Sequence, residues 1–113
     1  MFLGGGFTQG SAQMYDGLAQ VKKGNIVVVI QYRLGLFGFM NLFDEEKKRT
    51  EGGNYGFLDQ QKALEFVYKN ARDFNGDPDR ITVAGESAGG MSVGLHLLRP
   101  ESRKLRKIRY FSL

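Results

Sequence analysis

The hydrophobic pattern of the chain contains two short apolar runs without polar alternation. Residues 26–30 read Ile-Val-Val-Val-Ile, and residues 81–84 read Ile-Thr-Val-Ala. A continuous β-branched run is typical of a strand whose two faces are both covered, as in the centre of a parallel sheet. We therefore predict two buried strands of the parallel type.

Three further segments have the apolar spacing of helices, with one hydrophobic side and one polar side. They cover residues 14–23, 57–74 and 88–98. We predict that Gln60 and Gln61 lie largely off the apolar side of the second helix. The predicted apolar sides are formed by Met14, Leu18 and Val21 in the first helix and by Phe57, Leu64, Val67, Ala71 and Phe74 in the second.

Turn-forming residues separate these elements. Gly24 follows the first helix, and the sequence Asn-Gly-Asp-Pro at residues 75–78 follows the second. Glycine and asparagine end helices because they tolerate a left-handed backbone. Pro100 is predicted to end the third helix. The polar stretch 41–53 is predicted to be a surface loop.

The resulting order is helix, strand, helix, strand, helix. This order predicts an α/β fold in which parallel strands are sandwiched by helices through right-handed crossovers. Two strands cannot cover these helices, and they would leave sheet edges unpaired. We therefore expect the chain to be a piece of a larger domain.

Composition narrows the classes of protein. The chain has 113 residues, of which 42% are hydrophobic, with no cysteine and one histidine. It is expected to be globular, and neither a metal site nor a cofactor is predicted. No stretch approaches the roughly 20 apolar residues of a membrane-spanning helix, so no membrane span is expected. The first residues lack the basic start and apolar centre of a secretory leader, so no signal peptide is expected.

The net charge of +4 comes from the end of the chain. From residue 99 onward there are six basic residues and one acidic residue, and the remainder is close to neutral. Such a tail is compatible with nucleic-acid or membrane-surface binding, but no aromatic stacking platform interleaves with its basic residues. We favour a solvated or aberrant end and predict no nucleic-acid partner.

The motif that carries chemistry is Gly85-Glu86-Ser87-Ala88-Gly89. It follows the predicted strand 81–84 directly and opens the predicted helix. A serine in a sharp turn between a strand and a helix is the pattern of a nucleophile elbow. The flanking glycines allow strand and helix to approach each other closely. The helix N-terminus favours negative charge on a reacting oxygen.

Further motifs accompany this one in a fixed order, and together they resemble the type-B carboxylesterase family, which includes cholinesterases. The matching residues extend over about residues 3–98. Besides the Ser87 motif, they are Gly4-Gly5-Gly6-Phe7, Tyr32-Arg33-Leu34-Gly35, Gly38-Phe39, Gly53-Asn54-Tyr55-Gly56-Phe57-Leu58-Asp59-Gln60 and Phe74-Asn75-Gly76-Asp77-Pro78.

The resemblance implies a part of an α/β-hydrolase fold and a serine-dependent hydrolysis of small-molecule carboxylic esters. Ser87 matches the nucleophile that forms an acyl-enzyme. The backbone amides of Gly5, Gly6 and Ala88 match the donors of the oxyanion hole. Glu86 matches the acidic residue before the nucleophile; an electrostatic role and a purely structural one are equally open. For a full-length parent the resemblance suggests a secreted or endoplasmic-reticulum lumen location.

The only histidine, His96, is predicted to be a structural residue of the last helix. Nine residues of helix place it about 13 Å along the axis from Ser87, whereas a base must lie within about 3 Å of its nucleophile. The family takes its triad glutamate and histidine from segments beyond residue 113, so this chain alone is expected to hydrolyse esters poorly or not at all. Arg33 and Asp59 are predicted to form an ion pair, because an unpaired charge beside buried segments is costly.

Two other classes of function stay open at this point. A non-catalytic adhesion protein of the neuroligin type shares the fold, although such relatives typically lack the nucleophile serine. A dinucleotide-binding module would use Gly4, Gly6 and Gly10, but the strand before them is short and no acidic residue follows a second strand. We predict residues 1–98 to be a partial type-B carboxylesterase domain and residues 99–113 to be a basic tail, with oligomeric state undetermined.

Overall fold

The computed structural model describes residues 1–104 and 109–112. Its helices and strands alternate irregularly along the chain. In order they are α1 (Leu18–Val21), α2 (Gly35–Phe39), β1 (Asn41–Asp44), β2 (Arg49–Gly52), α3 (Tyr55–Asn70), β3 (Thr82–Gly85), α4 (Ala88–Leu98), α5 (Pro100–Arg103) and β4 (Arg109–Ser112). Short 3₁₀ turns cover Ala12–Met14, Ala71–Phe74 and Pro78–Arg80.

The central sheet is parallel, as the apolar runs predict. Strand β3 pairs with β4 in parallel, from Thr82 opposite Arg109 to Gly85 opposite Ser112. On the other side of β3, Phe2 forms parallel bridges to Gly85 and to Ile30. The order across the sheet is therefore Ile30, Phe2, β3 and β4, and it brings the start of the chain beside the Ser87 motif.

The core lies where this sheet meets the two long helices. Phe2 and Leu3 are fully buried at its centre, and Val83 of β3 packs with them. The other buried members of the cluster are Ile30, Tyr32, Leu64 and Val93. The first residues of the chain are thus held on both sides, which fixes the position of the glycine-rich loop that follows.

Helices α3 and α4 agree with the apolar spacing in extent. α4 begins at Ala88 and ends at Leu98, as predicted. α3 with its 3₁₀ turn ends at Phe74, and Asn75 takes the left-handed conformation with φ 59°. The polar assignment within α3 is wrong, because Gln60 and Gln61 are buried while Phe74 is mostly exposed.

The first apolar run is not a buried strand. Only Ile30 bridges to a neighbour, and Ile26 and Val28 are 54% and 41% exposed. The reason lies in the tertiary structure. Residues 1–2 lie on one side of this run, and no strand in the described part of the chain lies on the other side of the run.

The helix predicted over residues 14–23 is also wrong in extent. Only Leu18–Val21 is α-helical, and Met14, Leu18 and Val21 are all exposed, since no described element packs on them. The predicted loop 41–53 is instead the antiparallel hairpin of β1 and β2, with Asn41 opposite Gly52. Its mixed polar composition concealed the pairing.

The predicted ion pair between Arg33 and Asp59 is confirmed. The guanidinium donates from Nε and Nη2 to the two carboxylate oxygens, both at 2.8 Å, and the Arg33 amide donates to Oδ2 at 3.1 Å. This pairing lowers the pKa of Asp59. It ties the segment after Ile30 to the first turns of α3, where the Arg33 guanidinium also lies over the Tyr55 ring.

Candidate functional site

Ser87 occupies the turn between β3 and α4 in a conformation that is rare for a residue with a side chain. Its φ is 54° and its ψ is −119°. Only glycine adopts positive φ readily, and a side chain held there costs about 1–3 kcal/mol. Ser87 is exposed, although Gly85 and Ala88 beside it are buried. The fold therefore holds a solvent-accessible hydroxyl on a strained turn.

Only glycine fits at two positions of this turn, because other backbone segments approach it closely. A β-carbon on Gly85 would overlap the carbonyl of Gly89 in the first turn of α4. A β-carbon on Gly89 would overlap the carbonyl oxygen of Phe2. The two contacts press the first turn of α4 against the start of the chain and leave Ser87 projecting from the turn.

The glycine-rich loop begins beside the Ser87 motif, where Gly4 packs against Glu86. Gly5 and Gly6 have φ of 108° and 63°, both in the region that favours glycine. The Gly5 carbonyl accepts hydrogen bonds from the amides of Thr8 and Gln9, each at 3.1 Å. The loop is thus a closed turn with a defined shape rather than a free tether.

Two tyrosine hydroxyls hold the entry to this loop, and sequence reasoning missed both. The Tyr32 hydroxyl donates to the Leu3 carbonyl at 2.9 Å, and the Gly4 amide donates to the Tyr15 hydroxyl at 2.6 Å. Burial is the main cause that raises the pKa of Tyr32. Tyr32 is part of a quoted motif, whereas nothing in the spacing distinguishes Tyr15.

Three backbone amides at this place are unused. Within the described part of the chain, the amides of Gly5, Gly6 and Ala88 donate no hydrogen bond. Unpaired amides are normally satisfied by solvent or by a ligand oxygen, because a polar group without a partner is costly. Ala88 is the first residue of α4, where the helix dipole adds positive potential. These three amides are therefore available as donors to a ligand or to solvent.

Glu86 lies between the loop and the turn. A β-carbon on Gly4 would come within 2.7 Å of Glu86 Oε2, 2.9 Å of the Glu86 carbonyl and 3.3 Å of the Tyr15 hydroxyl. The carboxylate is therefore packed against the bare backbone of Gly4, at the start of the loop. Its negative charge lies one residue before Ser87, which places it at the edge of the site.

His96 lies in the core and is not directed at a substrate. The ring is fully buried and stacks between Phe2 and Phe57, with centroid distances of 5.1 and 4.3 Å. Its Nδ1 lies 2.7 Å from the Ser102 hydroxyl and its Nε2 lies 3.2 Å from Gln60 Oε1. Burial, with a smaller contribution from Arg99, lowers the pKa of His96 to about 4.

The same hydrogen bonds extend from His96 in both directions. Gln60 Nε2 donates to the Ser92 hydroxyl at 2.9 Å, and that hydroxyl donates to the Ala88 carbonyl at 3.0 Å. On the other side Ser102 contacts Gln61, which donates to Glu65. This buried chain, which sequence reasoning also missed, joins α3, α4 and α5 and ends at the residue after Ser87. Both ring nitrogens of His96 are occupied within it.

Within residues 1–104 and 109–112 there is no group of three acidic, histidine or cysteine side chains arranged to hold a metal ion. In the same part of the chain, no helix has the length and apolarity needed to cross a membrane.

Comparison with known proteins places these observations in a family. Residues 1–109 match the Carboxylesterase family. A cocaine esterase of Oryctolagus cuniculus is 50% identical over 103 residues, which are 90% of this chain and 19% of the relative. Liver carboxylesterase B-1 of Rattus norvegicus is also 50% identical, over 90% of this chain and 18% of its own. The neuroligin-like protein glit-1 of Caenorhabditis elegans is 46% identical over 92% of this chain and 14% of its own.

A mixed helix and strand fold with parallel pairing, together with this match, defines the class. The chain belongs to the carboxylesterase family, whose members have an α/β-hydrolase fold. It spans less than a fifth of the length of the curated relatives it matches. The resemblance proposed from the motifs is thereby confirmed.

Proposed function

We propose that this chain provides the nucleophile and oxyanion-binding part of a serine-dependent carboxylic ester hydrolase. The observation that carries the proposal is the strained conformation of Ser87 beside three unused amides. Strain in a turn persists only where the surrounding structure enforces it, and such positions cluster at active sites. Ser87 is exposed, and the glycine-rich loop begins where Gly4 packs against Glu86, one residue before Ser87.

In the proposed reaction Ser87 Oγ attacks the carbonyl carbon of an ester and forms a carbon–oxygen bond. The carbonyl oxygen becomes an oxyanion, which the amides of Gly5, Gly6 and Ala88 bind. One such donor is worth about 3 kcal/mol of transition-state stabilisation in measured cases. Collapse of the tetrahedral intermediate expels the alcohol and leaves an acyl-enzyme, and water then releases the carboxylic acid.

Glu86 has an electrostatic role in this proposal. Its carboxylate is held by packing against Gly4 and lies next to Ser87 in the chain. A fixed negative charge favours the cationic form of a nearby histidine base, which carries the serine proton during acyl transfer. Glu86 is not assigned to the triad, because the triad acid must hold a histidine that itself reaches Ser87.

The base that accepts the Ser87 proton is not His96, because both His96 nitrogens are occupied in the core. Since the chain contains no other histidine, the proposal assigns the triad histidine and glutamate to the remainder of a longer family domain, of which this chain is an incomplete part. Ester hydrolysis by the 113-residue chain alone should then be no faster than that of its Ser87→Ala variant.

The substrate class proposed is small-molecule carboxylic esters. The relatives named cocaine esterase and liver carboxylesterase support this class for the family. A second candidate function is non-catalytic adhesion, which the similarity to the neuroligin-like protein favours. The retained Ser87 and its strained turn support the hydrolase over this alternative.

The test compares the 113-residue chain with the product of the longest transcript that contains it. In the longer protein a fluorophosphonate probe should label Ser87, and Ser87→Ala should lower ester hydrolysis by about 10⁴-fold. Ser92→Ala, which changes a buried serine in the next turn of α4, is the matched control and should keep the label. Unchanged ester hydrolysis in the Ser87→Ala variant of the longer protein would refute the assignment of Ser87 as the nucleophile. Ser87-dependent ester hydrolysis by the 113-residue chain would refute the claim that this chain lacks the general base.

A further inference from the structure

The carbonyl of Leu3 lies at the boundary between the glycine-rich loop and helix α4. Leu3 is fully buried, and the loop donors Gly5 and Gly6 follow it directly after Gly4. A β-carbon on Gly89 would come within 3.1 Å of the Leu3 carbonyl oxygen, so this oxygen borders the first turn of α4. That turn begins at Ala88, whose amide is the third unused donor. The position of the Leu3 carbonyl therefore helps to set how the two loop amides lie relative to the amide of Ala88.

A single hydrogen bond holds this carbonyl. In the described part of the chain, only the Tyr32 hydroxyl donates to the Leu3 carbonyl, at 2.9 Å. A buried carbonyl without a partner is costly, and residues 3–10 contain no helix or strand that would supply another one. Ala88 differs, because it belongs to α4 and its carbonyl lies within the hydrogen-bonding pattern of that helix. The loop side of the site therefore depends on Tyr32 more than the helix side does.

The Tyr32 hydroxyl is itself held in place. Its ring is buried and belongs to the core cluster. Burial raises the pKa of Tyr32, and hydrogen bonding by Ser92 and Gln60 opposes this shift in part, so both side chains face the hydroxyl. The next residue, Arg33, is bound to Asp59 through its amide and its guanidinium. A hydroxyl held in this way can fix the position of a loop that has no secondary structure of its own.

We infer that Tyr32 is a positioning residue, whose hydroxyl aligns the two loop amides with the amide of Ala88 through the Leu3 carbonyl. The inference rests on the proposed function, because it concerns the donors that would bind the oxyanion. Such donors stabilise an oxyanion only when they lie about 2.7–3.1 Å from the position that it will occupy. A misplacement of about 1 Å costs about 10²-fold in rate in measured cases. Removal of the hydroxyl therefore weakens binding of the transition state rather than of the substrate.

Tyr32→Phe in the longer protein tests the inference, because it removes only the hydroxyl. It should lower kcat by about 10- to 100-fold and leave KM nearly unchanged, as expected for an interaction that matters in the transition state. Tyr68→Phe is the matched control. Tyr68 is half-buried on α3, and its hydroxyl makes no hydrogen bond within the described part of the chain, so this variant should keep the parent kcat. Circular dichroism confirms that both variants are folded.

A comparison of an ester with its thionoester separates positioning from a general structural effect. In the thionoester, sulfur replaces the carbonyl oxygen and accepts hydrogen bonds weakly, so the ratio of the two hydrolysis rates measures the donors of the oxyanion site. The ratio should narrow by about fivefold or more in Tyr32→Phe and stay at the parent value in Tyr68→Phe. Both rates come from one preparation, so the ratio does not depend on the folded fraction.

The Tyr32 hydroxyl proton tests the contact without any substitution. In the parent 113-residue chain it should exchange slowly with water and give an NMR resonance, because the hydroxyl is buried and hydrogen-bonded. A rapidly exchanging hydroxyl overturns the inference, and so does a parent ratio in folded Tyr32→Phe, whether or not kcat falls. Both results leave the proposed function intact where Ser87→Ala abolishes hydrolysis. Unchanged hydrolysis in Ser87→Ala overturns the proposed function and this inference with it.

Discussion

Acid should destabilise this fold through one residue, His96. The ring is fully buried between Phe2 and Phe57, and burial lowers its pKa from 6.5 to about 4. The folded state therefore binds the proton less well than the unfolded state. In that case the stabilisation is complete above pH 6.5 and is lost as the pH falls from 6.5 to about 4.

The size of the effect follows from the shift in the pKa. Each unit of pKa corresponds to about 1.4 kcal/mol between the two protonation states. The shift from 6.5 to about 4 thus corresponds to about 3.5 kcal/mol in full, of which about 3 kcal/mol is lost by pH 4. Arg99 opposes protonation of the ring, and Glu65 is linked to the ring through Ser102 and Gln61.

Urea unfolding followed by circular dichroism at pH values from 7.5 to 4 measures this loss. The free energy of unfolding should fall by about 3 kcal/mol across that range in the parent sequence. His96→Gln removes the titrating ring, so its free energy should change far less between pH 7 and 5, even if it starts lower. Leu97→Gln, on the exposed side of the same helix, is the matched control and should keep the parent slope.

Two results would contradict the reasoning about His96. The first is a free energy of unfolding that is flat between pH 7 and 5 in the parent sequence. The second is an equal slope in His96→Gln, which would assign the acid sensitivity to other groups. Carboxylates such as Asp59, whose pKa is lowered by Arg33, contribute at more acidic pH and in both proteins.

Two further predictions concern the turn at Ser87. Ser87→Gly should raise the free energy of unfolding by about 1 kcal/mol in urea titrations, because φ 54° and ψ −119° suit glycine; a loss of stability would mean that the turn is not strained. Gly89→Ala should lower the free energy of unfolding by about 2 kcal/mol or more, since its β-carbon would overlap the Phe2 carbonyl. Gly94→Ala, in the same helix with open space around it, should instead raise it by up to about 1 kcal/mol, and equal effects at the two glycines would contradict the close contact.

Much of the local structure and the family could be predicted from residue patterns alone. The extents of β3 and α4, the stop at Asn75 and the ion pair of Arg33 with Asp59 depend on short-range signals such as turn residues, apolar spacing and motif charges. The motif around Ser87 is likewise a short-range signal that can be recognised from the residues alone. Of its two glycines, Gly85 is required by a contact between elements adjacent in the sequence, whereas Gly89 is required by the carbonyl of Phe2 at the start of the chain.

The rest depends on which elements meet across the chain. Residues 26–30 have the composition of a buried strand, but Ile26 and Val28 are exposed because only residues 1–2 lie beside them. Gln60 and Gln61 are polar, yet they are buried because His96 and Ser102 supply hydrogen-bond partners from other helices.

For the candidate site the division is the same. The nucleophile motif, the triple glycine and the single histidine can be read directly from the residues, because they are matters of residue type and order. Three other properties required the folded structure: Tyr15 and Tyr32 hold the loop, the amides of Gly5, Gly6 and Ala88 have no partner among the described residues, and both ring nitrogens of His96 are hydrogen-bonded. Those properties depend on distances between segments that lie far apart in the chain.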